Sequence, residues 1–258
     1  MVVSKSTYSE AIQYVPDEFK TAEFYLAAVQ QNGNVLRCVP EEFRTPELCL
    51  VAVKGDGLAL QYVPKALKTP ELCLIAVQNR GVALDYVPDK FKTPELCLAA
   101  VQNGGQALEY VPEALKTPEL CLAAVQNAAW AALEYVPQEL KTPELCLAAV
   151  QSAGEALKFV PMRFRTPELC FAAVLNIQYG YHMYVFKHVP KEHKTPALYL
   201  AAVQRSGNAL EYVPKNLRTA EICIAAVQND ERALEYVPNK LKKLCLAAIG
   251  DKSDLENP

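Results

Sequence analysis

The dipeptide Val-Pro recurs ten times in this 258-residue chain, with prolines at 16, 40, 64, 88, 112, 137, 161, 190, 214 and 238. The spacing is 24 residues except for one step of 25 and one of 29. Such a period restricts the chain to architectures in which one supersecondary unit stacks on copies of itself. The cleanest copy, Thr93 to Lys116, reads TPELCLAAVQNGGQALEYVPEALK, and the others are variations on it.

Thr45, Thr69, Thr93 and Thr117 each precede Pro, Glu and an apolar run. A capping hydroxyl, a proline at the first helical position and an acid in the first turn start a helix. The run LCLAAVQ is rich in helix formers and stops at Asn or Gly, which predicts a first helix of about ten residues. Beyond the turn, Ala107, Leu108 and Val111 share one side at helical spacing while Glu109 points away, which predicts a second, shorter helix. The proline after Val111 forces a tight turn into the next unit.

The first helix is apolar on nearly every side, so a lone unit cannot bury it and neighbours are required on both flanks. The expected fold is all-α: an α-solenoid of about ten 24-residue helical-hairpin repeats forming a rod or superhelix. A leucine-rich-repeat horseshoe has a similar period, but its LxLxxN signature would put Asn where Val125 stands, and the proline would interrupt the strand. One repeat domain is expected over residues 1–250, from a second-helix half unit at 9–16 to a first-helix half unit at 244–250, with a polar tail at 251–258. The last half unit is still apolar, so end-to-end self-association is one way to cover it.

The string ALEYVP…LKTPELCLAAVQ, repeated across residues 9 to 250, resembles a family of short helical repeats known as a domain of unknown function. The resemblance implies a helical-repeat module and brings no activity, cofactor or site residue with it. Departures are Ala22 and Ala220 in place of proline, the longer connection before Pro190, and two residues lost before the final LCL.

Eight of nine cysteines (Cys49, Cys73, Cys97, Cys121, Cys146, Cys170, Cys223, Cys245) take one position of the first helix, and Cys38 replaces a tyrosine. Equivalent rungs of packed helices lie about 8–10 Å apart, beyond the roughly 7 Å between Cα atoms that a disulfide spans. Without a CxxC pair, buried free thiols are expected, and with them a reducing, cytoplasmic setting. The N-terminus lacks a secretory apolar core, and no run reaches the roughly 18 apolar residues of a membrane span.

A basic rung (Lys20, Arg44, Lys68, Lys92, Lys116, Lys141, Arg165, Lys194, Arg218) precedes each threonine, and an acidic rung follows (Glu23, Glu47, Glu71, Glu95, Glu119, Glu144, Glu168, Glu221). The two are expected to pair or to be solvated. With a net charge of −3 the chain has no overall pull towards phosphate backbones. The tyrosine rung, such as Tyr62, Tyr86 and Tyr110, reads as core packing with hydroxyls at the rim.

Two insertions break the period. One before Pro137 carries the single tryptophan, Trp130; the other, before Pro190, carries Tyr179, Tyr181, His182, Tyr184 and Phe186. Both fall in the connection between the two helices, an edge that successive units share. Aromatic side chains with few rotamers make good anchors, so these six are the candidate partner-binding residues, the other expectation being a satellite core under a bulged loop. His188 and His193 replace structural residues, and the histidine spacings of six and five match no helical metal pair. No nucleophile with a positioned base and no phosphate-cradling glycine loop is found, so no catalytic residue, metal or cofactor is expected. The expected function is a non-enzymatic scaffold for protein-protein or protein-peptide interaction. The alternative is a nucleic-acid-binding repeat protein reading one unit per base; an enzyme centred on His182 and His188 stands third.

Overall fold

The structure, a computed structural model, describes residues 12–177 and 182–253, without the side chains of residues 129–130, 182–183 and 251–253. Among the described residues every regular element is helical, and none is long and apolar enough to cross a membrane. Long helices recur once per unit: α1 (Ala22–Gln31), α2 (Pro46–Gly55), α3 (Pro70–Asn79), α4 (Pro94–Asn103), α5 (Pro118–Tyr135), α6 (Pro143–Ser152) and α7 (Pro167–Leu175). After α8 (His182–His188), the series resumes with α9 (Pro196–Arg205), α10 (Ala220–Asn229) and α11 (Asn239–Ser253).

The threonine rung does what its chemistry requires. Thr45, Thr69 and Thr117 each accept the N–H three residues on at 3.2 Å, and Thr93 does so at 3.3 Å. Thr21 and Thr219 cap identically where Ala22 and Ala220 stand in for proline. The cap, rather than the proline, sets where the helix begins.

The second element is a six-residue 3₁₀ arm, as in Gly57–Tyr62 and Gly105–Tyr110, and not the α-helix expected from its spacing. The Ala59 N–H donates to Asp56 O at 2.9 Å and the Val63 N–H to Leu60 O at 3.2 Å, both three residues back. A period of three aligns Gly57, Leu60 and Val63 on one edge, and all three are buried.

The insertions change the winding and leave the core in phase. Residues 129–135 of α5, beyond a break at Ala128 (φ −143°), and the seven residues of α8 are α-helical. There the Val189 N–H reaches back four residues to Val185 O at 3.2 Å. Ala132, Leu133 and Val136 stay buried, as do Val185, Phe186 and Val189, in the places of Ala107, Leu108 and Val111. In the last unit, loss of two residues and of the Thr-Pro start merges turn and long helix into α11, which runs past residue 250 to Ser253.

Contacts divide the chain into two compact units, Met1–Leu140 and Lys141–Pro258. Within each, every long helix packs on the next and on the arms beside it. The core repeats with the unit: Leu96, Cys97, Ala100 and Val101 from the helix, and Ala107, Leu108 and Val111 from the arm.

Candidate interaction surface

Much of the repeated polar chemistry is used to join one repeat to the next. Asn103 accepts from the Gly81 N–H through Oδ1 at 2.6 Å and donates through Nδ2 to Gln78 O at 2.8 Å. Asn79, Asn127 and Asn229 make the same two bonds to the preceding repeat. Each asparagine satisfies a donor and an acceptor left over at the helix and arm ends. Where Asn176 turns its amide onto Ala172 O, its own carbonyl takes over and accepts from Gly154 N–H at 2.9 Å.

The basic rung is a second joint. Arg44 donates through Nε to Val39 O and through Nη1 to Tyr62 O in the next repeat, both at 2.8 Å. Arg165 reaches Val160 O and His188 O in the same way, and Arg218 reaches Val213 O and Tyr236 O. Lys68, Lys116 and Lys141 each donate to the corresponding carbonyl of Tyr86, Tyr135 and Phe159. The recipient is an arm-end carbonyl, which cations satisfy well. This corrects the expectation of a solvated or acid-paired row. Among the described residues, the carboxylates that meet this rung belong to the turn (Asp17, Asp89, Glu113) and not to the acidic rung.

Glycine makes the joint possible. A Cβ on Gly81 would lie 2.2 Å from Ala100 O, and one on Gly57 2.3 Å from Ala76 O. Backbone packs directly on backbone at these points. In the sequence these glycines and asparagines read as helix stops. The missed signal is that Gly33, Gly57, Gly81, Gly105, Gly154 and Gly207 share one position, while the residue before them varies freely (Asp56, Arg80, Ala153, Ser206).

What remains facing solvent is a different set. On α3, α4 and α5 the exposed line is Pro-Glu, then Leu, then Gln: Glu71, Leu74 and Gln78 on α3, with counterparts Glu95, Leu98, Gln102 and Glu119, Leu122, Gln126. The long helix is therefore not apolar-buried all round: Leu74, Leu98 and Leu122 are 37%, 39% and 42% exposed. In the second unit Leu147 and Phe171 hold the same position at 37% and 38%. The Glu95 and Glu119 carboxylates are held below their ordinary range by their own backbone N–H groups and by the Thr93 and Thr117 hydroxyls. From Tyr62 onwards the tyrosine rung is half-buried, and burial together with Glu109 pushes the Tyr110 phenol up.

Of the six candidate residues, Tyr184 and Phe186 have described side chains. Tyr179 and Tyr181 lie outside the described residues, and Trp130 and His182 sit in helices with their side chains outside the description. Tyr184 is exposed. Phe186 is not a surface anchor: it fills the leucine rung, 5% exposed, and stacks on Tyr199 with ring centroids 5.2 Å apart. The reason is register, since Phe186 stands four residues before Pro190 as Leu108 stands four before Pro112. His188 lies half-buried in the tyrosine rung, its pKa lowered by burial and by Arg165. Along the connection edge, Asn34, Arg37, Asp56, Tyr62, Asn79 and Arg80 line a polar cleft of about 590 Å³. Its groups largely bond one another, as Asn34 Nδ2 does to Asp56 Oδ2 at 2.6 Å.

A family model described as Domain of unknown function (DUF4116) matches residues 3–44, 45–92, 93–141 and 198–242. Each match spans about two of the 24-residue units. No curated protein and no solved structure matches the chain.

Proposed function

The chain belongs to that family of helical tandem repeats, whose description assigns no activity, and we propose from its geometry that it is a non-enzymatic α-solenoid scaffold that binds a protein or peptide. The observation that carries this reading is the exposed leucine on the same helix face of α3, α4 and α5, with Leu147 and Phe171 at the same position of α6 and α7. Surfaces of this kind are what repeat proteins use to hold partners. The nucleic-acid reading loses support because six of the nine basic-rung cations donate to backbone carbonyls within the protein. The eight cysteines of the long helices, buried as free thiols, fit a reducing, cytoplasmic setting.

Panning a randomised peptide library against the purified chain tests the reading. Recovered peptides are expected to share a spacing pattern and to saturate at a fixed stoichiometry by calorimetry; a library that yields no saturable ligand overturns it. Small-angle scattering checks the solenoid, which gives a rod-like profile, whereas a compact globule contradicts it.

A further inference from the structure

We propose that the outer face of α3, α4 and α5 docks an amphipathic helix of a partner protein, one that carries an apolar seam and a basic flank. This rests on the scaffold reading and adds to it the face and the chemistry of the occupant.

The period selects the partner's conformation. Packed helices lie about 8–10 Å apart, which sets the step from Leu74 to Leu98 to Leu122. Two turns of an α-helix advance about 10.5 Å, so apolar side chains at every seventh position of a partner helix meet the three leucines in turn. An extended segment covers the same step in about three residues, but successive third residues point to opposite faces of a strand. A helix therefore engages every rung and a strand only alternate ones. The row opens at α3 because on α2 the equivalent Leu50 is less exposed and Lys54 replaces the glutamine.

The charge selects the partner's flank. Glu71, Glu95 and Glu119 lie one turn before the leucines and are exposed, while the other side of the row is the neutral Gln78, Gln102 and Gln126. Among the described residues no ion pair reaches these three glutamates. The neighbouring cations Lys68 and Lys116 are directed onto the Tyr86 and Tyr135 carbonyls instead. The stripe is thus greasy in the middle and negative along one side, which complements Lys or Arg on one flank of the incoming helix.

Fluorescence anisotropy on the full chain tests this with two labelled peptides that share a leucine seam at every seventh position. One carries lysine on the flank and the other glutamate. The lysine peptide is expected to bind saturably and at least about tenfold more tightly than the glutamate peptide, with affinity falling as salt rises. Leu98→Ser with Leu122→Ser should weaken it on the order of tenfold while the chain stays folded by circular dichroism, its melting point lowered only modestly because both side chains are already about 40% exposed. Glu95→Gln with Glu119→Gln should remove most of the preference for lysine and most of the salt dependence. Equal binding of the two peptides, or undiminished binding to the leucine variant, overturns the proposal. Library-selected ligands that ignore all four substitutions overturn this face and leave the scaffold reading standing; a chain that selects no ligand removes the scaffold reading as well.

Discussion

Gly104 and Gly105 are adjacent, and replacing each by alanine should change stability in opposite directions. Gly105 begins an arm, and an added Cβ would sit 2.2 Å from Ala124 O, 2.8 Å from Ala128 N and 2.9 Å from Ala128 Cβ. Ordinary contacts begin near 3.4 Å, and the nearest obstacles are backbone, so the two repeats would have to part by about 1 Å. That separation strains the Asn127 bonds to Gly105 N–H (3.0 Å) and Gln102 O (2.9 Å). Overpacking costs about 1–3 kcal/mol, and weakening two hydrogen bonds adds about 1–2 kcal/mol. Against this, the stiffer unfolded chain returns about 0.4–1 kcal/mol. The net expectation for Gly105→Ala is a loss of about 1–4.5 kcal/mol. Gly104 has extended geometry (φ −160°), and its added Cβ would meet nothing nearer than the Gln106 side chain at 3.8 Å. Gly104→Ala therefore keeps only the unfolded-state gain of about 0.4–1 kcal/mol. Urea denaturation followed by circular dichroism, with slopes compared to confirm a common transition, reads both changes. A Gly105→Ala protein as stable as the parent, or a Gly104→Ala protein clearly less stable, would refute the argument from backbone contact.

Three further outcomes follow from the same joints and core. Asn103→Ala leaves the Gly81 N–H and Gln78 carbonyl without their clamp; a loss of about 1–3 kcal/mol is expected, with faster hydrogen exchange at the Gly81 amide. Phe186→Leu and Tyr199→Cys each restore the usual residue of their rung but open space beside the stacked partner; a double-mutant cycle on urea midpoints should give a coupling of about 0.5–1.5 kcal/mol, and additive losses would contradict the stacking. Burial pushes the thiols of Cys73, Cys121, Cys146, Cys170 and Cys223 up to about 11, from 9.0. Because the folded values are the higher ones, this contribution to stability is intact below pH 9 and declines as pH rises from 9 towards 11. Native thiols at these positions should accordingly resist a thiol reagent at pH 8 until the chain is unfolded.

The frame of the fold could be read directly: the 24-residue period, the threonine caps and the buried cysteine rung each rest on a local rule that needs no partner. The winding of the arm could not. Ala107, Leu108 and Val111 satisfy an α spacing, and only the hydrogen bonds three residues back, from Ala107 N–H to Gly104 O and from Val111 N–H to Leu108 O, reveal that a three-residue period is in use. The basic rung misled for a related reason. A lysine or arginine one residue before a capped helix resembles any surface cation until the orphaned carbonyl of the following repeat is in view. Aromatic density groups Phe186 with the insertion, whereas its distance back from Pro190 assigns it to the core. Least visible was the leucine row, since nothing in LCL distinguishes the leucine that packs, Leu96, from the one that faces water, Leu98.

The two ways of coiling the arm amount to a length compensator. Six residues at about 2.0 Å per step and seven at about 1.5 Å span about 12 and 10.5 Å, nearly the same distance between the same anchorages. A codon gained at this spot is thus absorbed by a change of pitch, and Ala132, Leu133 and Val136 keep their buried places. Such an allowance marks the arm as the place where a repeat can gain a residue without exposing its core.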